Sequence, residues 1–125
     1  MEKKKNTETK MSGYKVLVMV GKKLVSPTKS GLKCQYITDK FVSPRRWGGP
    51  LTAFTEKEMA IYWAGKQRIN YGKENVRVYR CEYIPTLVKH VWRYRYENLK
   101  SKPLSELPEN TVLAKRIKIT KRVAY

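Results

Sequence analysis

Residues 76–96 read VRVYRCEYIPTLVKHVWRYRY, two runs rich in β-branched and aromatic residues, broken at Ile84-Pro85-Thr86. In the second run Val88, His90, Trp92, Tyr94 and Tyr96 fall on one parity, and Lys89, Arg93 and Arg95 on the other. A period of two places successive side chains on opposite faces of a sheet. The stretch is therefore expected to form a β-hairpin with an aromatic inner face and a cationic outer face. Pro85 cannot donate to a ladder, so it must sit at an edge, a bulge or a turn. The first run, Val76–Tyr83, does not divide cleanly into two faces.

A second basic strand is expected at the end of the chain. Thr111–Val123 reads TVLAKRIKITKRV, and no acid occurs after Glu109. Simple alternation puts Leu113, Ile117 and Ile119 on an apolar back, and Arg116, Lys118, Thr120 and Arg122 on a cationic front. Tyr14–Val20, YKVLVMV, is almost wholly apolar, as in a central strand covered on both faces. Gly21-Lys22-Lys23 turns the chain, and Leu24–Ser26 is expected to pair back. Leu32–Ile37 is a further strand with Leu32, Cys34 and Tyr36 on one face. Thr38-Asp39-Lys40 turns into a short strand at Phe41–Ser43. In Pro44–Pro50, PRRWGGP, two prolines and two glycines argue against a regular element.

One helix is expected. In Phe54-Thr55-Glu56-Lys57-Glu58-Met59, Thr55 can cap and Glu58 completes a capping box, with Phe54 and Met59 at the staple positions. Met59, Ala60, Trp63, Ala64 and Gln67 share a face, with Trp63 against the sheet. The helix should end near Arg68–Asn70. Glu97–Asn110, with two prolines, reads as a loop with a helical turn at Pro103–Leu107. The expected fold is α+β: a mobile basic arm over residues 1–12, then one domain over 13–125. That domain has an antiparallel sheet of five to six strands with one main helix on one face.

Charge narrows the function. Lys plus Arg number 28 against 10 Asp plus Glu, a formal net charge of +18. The arm contributes only +2, so the excess belongs to the folded part. Charge of this size attracts polyanions and opposes self-association, and nucleic acid, DNA or RNA, is the first partner to consider. No apolar stretch is long enough to span a bilayer, and no signal peptide follows the early lysines. These features point to the cytoplasm. The two cysteines, Cys34 and Cys81, and the single histidine, His90, are too few for a zinc site, and neither cysteine lies in a CxxC pair. Reduced thiols are expected, although spacing alone leaves a disulfide open.

The acids are scattered and form no Mg²⁺-binding cluster, and phosphate-binding glycine motifs are absent. No metal and no cofactor is expected. A metal-independent nuclease is still open, because His, Glu and Arg can move a proton and stabilise phosphate charge. Its candidates are His90, Glu82 and Arg80. A binding protein is better supported. Its candidate contacts are Arg45, Arg46 and Trp47 in the PRRWGGP loop, Lys89, Arg93 and Arg95 in the first basic strand, and Arg116, Lys118 and Arg122 in the second. Trp47 suits a stacked base beside two guanidinium groups, and suits equally a buried anchor for the loop. An acidic protein surface is the alternative partner.

The order GLKCQY, SP, GGPLTAF and EMA, then YRCEY and LPENTVLAKRIKI, resembles small uncharacterised proteins encoded by phages and other viruses, over roughly residues 13–123. The resemblance implies a viral or mobile-element context, and so a host cytoplasm. It admits a small factor that acts on host machinery or host defence. It implies no active residue.

Overall fold

The computed structural model describes residues 9–27, 34–44, 48–95 and 98–124. Three long antiparallel strands form its frame: β1 (Met11–Val20), β7 (Val76–Pro85) and β10 (Thr111–Val123). β7 lies between the other two, pairing from Met11↔Tyr83 to Val18↔Val76 on one side and from Ala114↔Pro85 to Val123↔Val78 on the other. Short strands close the frame. At one end β6 (Leu51–Phe54) bridges β1 through Tyr14↔Phe54 and β10 through Thr111↔Phe54 to Ala114↔Leu51. At the other end β2 (Lys23–Val25) and β3 (Gln35–Tyr36) extend from β1, and β4 (Phe41–Val42) extends from β10. The Asp39 N–H donates to the Ile119 carbonyl at 2.8 Å, tying the turn between β3 and β4 to β10. The result is one sheet of seven strands that closes into a small barrel through β1, β7, β10 and β6, with β2, β3 and β4 as extensions.

Its interior is packed. Leu17, Cys34, Tyr36, Leu51, Ala53, Tyr79, Cys81, Tyr83, Ala114, Ile117 and Ile119 form one buried cluster. The alternate residues of β1 and β7 form a second cluster outside the wall. There Val16, Val18, Val76 and Val78 pack with Ala60 and Ala64 of α1 (Lys57–Tyr71). β1 therefore has both faces covered, as its apolar run implies, and β7 resists division into faces for the same reason. Two alanines on the contact line keep the helix close to the strands.

A separate three-stranded sheet pairs β5 (Gly48–Gly49), β8 (His90–Arg95) and β9 (Asn98–Pro103). This overturns the expected hairpin. β7 pairs with β1 and β10, whereas β8 pairs with β5 and β9. The break at Ile84-Pro85-Thr86 carries the chain from one sheet to the other. Ile84 is still paired in the barrel, Pro85 ends the ladder, and the Thr86 N–H donates to the Leu113 carbonyl at 3.3 Å. The α+β class with one main helix on an antiparallel sheet holds; among the described residues that sheet has seven strands against the expected five to six, and three more pair beside it.

Other corrections are local. Met11 and Ser12, expected in the arm, pair in β1, and residues 1–8 lie outside the described residues. Gly48 and Gly49 make a two-residue strand inside the proline-glycine loop, and Asn98–Pro103 is a strand where a loop was expected. The expected helical turn is present at Leu104–Glu106. The N-cap of α1 is Glu56, with no side-chain cap bond, so the Thr55 capping box does not form. The Thr55 hydroxyl instead faces the Asn110 carbonyl at 3.4 Å, and its N–H donates to the same carbonyl at 2.9 Å. β6 runs to Phe54 and holds Thr55 in the turn beside β10. Trp63 is half-buried and stands edge-on to exposed Tyr62, so it is Ala60 and Ala64 that face the strands.

Candidate nucleic-acid interface

The outer wall of the barrel beyond the helix is built from β7 and β10. On β7, Tyr79, Cys81 and Tyr83 point into the core, which leaves Arg80 and Glu82 outside. On β10, Ile117 and Ile119 point in, and Arg116 and Lys118 point out. Two register shifts interrupt β10, between Ala114 and Arg116 and between Ile119 and Lys121. Each inserts a residue and resets the parity of the strand beyond it. Leu113 thus falls opposite Thr52, on the other side from Ile117, and the expected apolar back of Leu113, Ile117 and Ile119 is broken. The second shift places Lys121 directly opposite Arg80, and both are exposed. Arg122 then lies opposite Tyr79 and leaves the row of Arg116 and Lys118.

Charges on this wall are unequal. Lys118 Nζ lies 3.3 Å from Glu82 Oε1 and 5.2 Å from the centre of the Phe41 ring. Lys118 and Glu82 are both partly exposed, so solvent screens much of their attraction. Arg80 and Lys121 are like charges at facing positions. Lys115, in the first bulge, is also exposed, and Arg116 is half-buried. Among the described residues this wall carries Arg80, Lys115, Arg116 and Lys121 beside the Lys118–Glu82 pair.

The other expected contacts lie elsewhere. Arg45, Arg46 and Trp47 are outside the described residues, as are the side chains of Arg93 and Arg95. The backbones of Arg93 and Arg95 pair with Lys100 and Asn98 in the small sheet. The two basic strands are therefore not neighbours: β10 lies beside β7, β6 and β4, and β8 beside β5 and β9. Lys89 is exposed in the link before β8, where its carbonyl accepts the Leu104 N–H at 2.8 Å. His90, expected to be at least half-buried, is exposed at the first position of β8, opposite Pro103. Of the three nuclease candidates, Arg80 and Glu82 share the outer face of β7, and His90 belongs to the other sheet. Simple alternation misses Lys121 and Lys115, because bulges leave no mark in a pattern of period two.

Among the described residues Lys15 is the one charged side chain that is fully buried. Lys15 is 5% exposed; its Nζ donates to the Thr52 carbonyl at 2.6 Å and to Thr52 Oγ1 at 3.3 Å, and lies 5.5 Å from the centre of the Tyr36 ring. Burial lowers its pKa to about 8, against a smaller opposing pull from Cys81 and Cys34. Burial pushes the Cys81 thiol up to about 12 and the Tyr36 phenol well above its usual range. Both cysteines are buried thiols. A thiol raised as far as that of Cys81 is protonated and a poor nucleophile at neutral pH. Among the described residues no three His, Cys, Asp or Glu side chains cluster as metal ligands, and no helix is long and apolar enough to cross a membrane.

No family model, no curated protein and no solved structure matches this chain.

Proposed function

We propose that the protein binds nucleic acid without catalysing a reaction on it, through the cationic outer wall of β7 and β10. The observation that carries this reading is the Arg80–Lys121 pair. Facing like charges destabilise a sheet, and here they stand exposed on a chain already at +18. A phosphate backbone laid along the wall would relieve that repulsion and release counterions. An excess of cations along the wall suits a polyanion better than a small neutral ligand. The wall presents few aromatic rings, because Tyr79 and Tyr83 point into the core, so phosphate contact dominates over base stacking. The test is fluorescence anisotropy on labelled duplex DNA, single-stranded DNA and RNA over a range of salt. Binding that falls linearly in log salt, with a shallower slope in Arg80→Ala and Lys121→Ala, supports the reading.

One observation favours a second reading, an acidic partner protein such as a host factor met in a viral context. Leu87 is 92% exposed, next to exposed Val88 and Lys89. An apolar tip flanked by a cation suits a protein surface better than a phosphate. Binding that survives nuclease treatment and is lost in Leu87→Asp would favour it.

A further inference from the structure

Helix α1 buries one side only. Ala60 and Ala64 pack on β1 and β7, whereas Glu58, Tyr62, Gly65, Lys66 and Ile69 are all exposed. Spacings of three and four put Tyr62, Gly65, Lys66 and Ile69 on one row along the helix. Ile69 is 86% exposed and Tyr62 56%, so two large apolar groups stand uncovered on that row. Between them is a glycine, a poor helix former in mid-helix. Nothing within the chain requires it: a Cβ at Gly65 would meet no other part of the protein within 4 Å, and its φ is not positive. The result is a notch between two apolar side chains, where another backbone can come close. Lys66 Nζ lies 5.1 Å from the centre of the Tyr62 ring and 5.7 Å from that of Trp63, and so helps to hold both rings in place.

We propose that this row docks an acidic partner protein through an amphipathic helix that crosses α1 at Gly65. Its apolar side chains meet Tyr62 and Ile69, and its carboxylates meet Lys66. Covering Ile69 with apolar surface removes it from water, which a phosphate backbone cannot do. Charge selects the partner. A second copy would set +18 against +18, whereas an acidic protein is attracted from a distance. Glu58 stands at the start of the row, so the partner's carboxylates fall towards the Lys66 end. Rings already held in place lower the ordering cost of binding. The inference needs neither the β7–β10 wall nor the Leu87 tip, and places a protein partner on a different part of the molecule from both.

The experiment titrates the isotope-labelled full chain with an amphipathic helical peptide of Leu and Glu, and with the same peptide carrying Lys for Glu. NMR amide shifts locate the contact. The proposal expects the acidic peptide to shift α1 around Gly65 and the basic one to leave it unmoved. Gly65→Leu, which fills the notch, and Ile69→Ala, which removes the contact, should each weaken binding about tenfold. Both replacements improve helix propensity, so melting temperatures should hold or rise, and lost binding is then not lost folding. The Arg80→Ala/Lys121→Ala variant should have the smaller effect on the peptide, and Gly65→Leu should leave nucleic-acid affinity unchanged. No binding of the acidic peptide, or binding that follows the wall variant and ignores the helix variants, overturns the docking proposal and leaves the nucleic-acid reading standing. Nucleic-acid affinity that falls in Ile69→Ala, or a dimer in sedimentation that Gly65→Leu breaks, gives the row a different occupant and overturns it as well.

Discussion

The ammonium group of Lys15 donates to the backbone carbonyl of Thr52, at the seam where β1 and β6 part after their single paired position, Tyr14↔Phe54. A lysine is thus spent where a ladder of backbone bonds ends. The cost shows in its pKa, about 8 in the fold against an ordinary 10.5. A base with a lowered folded pKa contributes stability that is present above the unfolded pKa and lost as pH falls through the folded one. Charging Lys15 in place therefore costs roughly 3 kcal/mol at neutral pH. Cys81 acts in the opposite sense. Its pKa rises from 9.0 to about 12, so its contribution is present below pH 9 and is lost towards pH 12. Stability should rise between pH 8 and 9, and the two effects should oppose each other above that. Lys15→Met, measured by urea unfolding across this range, should lack the rise. An unchanged pH profile in that variant would remove Lys15 as its source.

Gly13 sits one strand position inside that seam. A Cβ there would lie 2.8 Å from the Phe54 carbonyl oxygen and 3.0 Å from the Tyr83 ring. The backbone of β6 has no slack at this point. Gly13→Ala should destabilise the barrel by about 1–3 kcal/mol, read from the urea midpoint. A neutral effect would mean that β6 does not close against β1.

Much of this architecture is legible in the chain. Tyr14–Val20 announces a strand covered on both faces, and Leu17 at 0% exposure and Val18 at 0% bear that out from opposite sides of the wall. The helix, the turn at Gly21, where φ is +64°, and the terminal strand follow from local chemistry. Pairing is not legible. Pro85 marks a break, but the sequence does not say whether the chain turns back or leaves the sheet, since both remove one ladder bond. The two shifts in β10 are equally hidden, because a bulge changes parity without changing composition. The candidate site suffers most from this. Alternation assigns Arg122 to the wall, and the shift gives that place to Lys121.

The capping box offers a sharp contrast between sequence and structure. A capping Thr55 would cost about 1 kcal/mol on truncation. Its hydroxyl makes only a long, exposed contact to Asn110, at 3.4 Å, so Thr55→Ala should cost less than about 0.5 kcal/mol. Thermal unfolding of this single variant decides between them.

The barrel core should be sensitive. Ile117 is 0% exposed and packs among Tyr36, Cys81 and Ile119. Ile117→Ala should cost about 2–5 kcal/mol, since the surrounding strands can collapse only partly onto the gap. A cost below about 0.5 kcal/mol, the scale of a surface change, would place this side chain outside the core.

The wall of β7 and β10 makes the most direct claim. Relieving the facing charges by Arg80→Ala or Lys121→Ala should raise stability by roughly 0.2–1 kcal/mol while weakening nucleic-acid binding. The decisive measurement is anisotropy of a labelled duplex, with the logarithm of the association constant plotted against the logarithm of salt, for the wild-type chain and the Arg80→Ala/Lys121→Ala double variant. The account predicts a linear fall for the wild type and a slope shallower by about two in the variant. Parallel lines for the two proteins, or no binding at low salt, would contradict it.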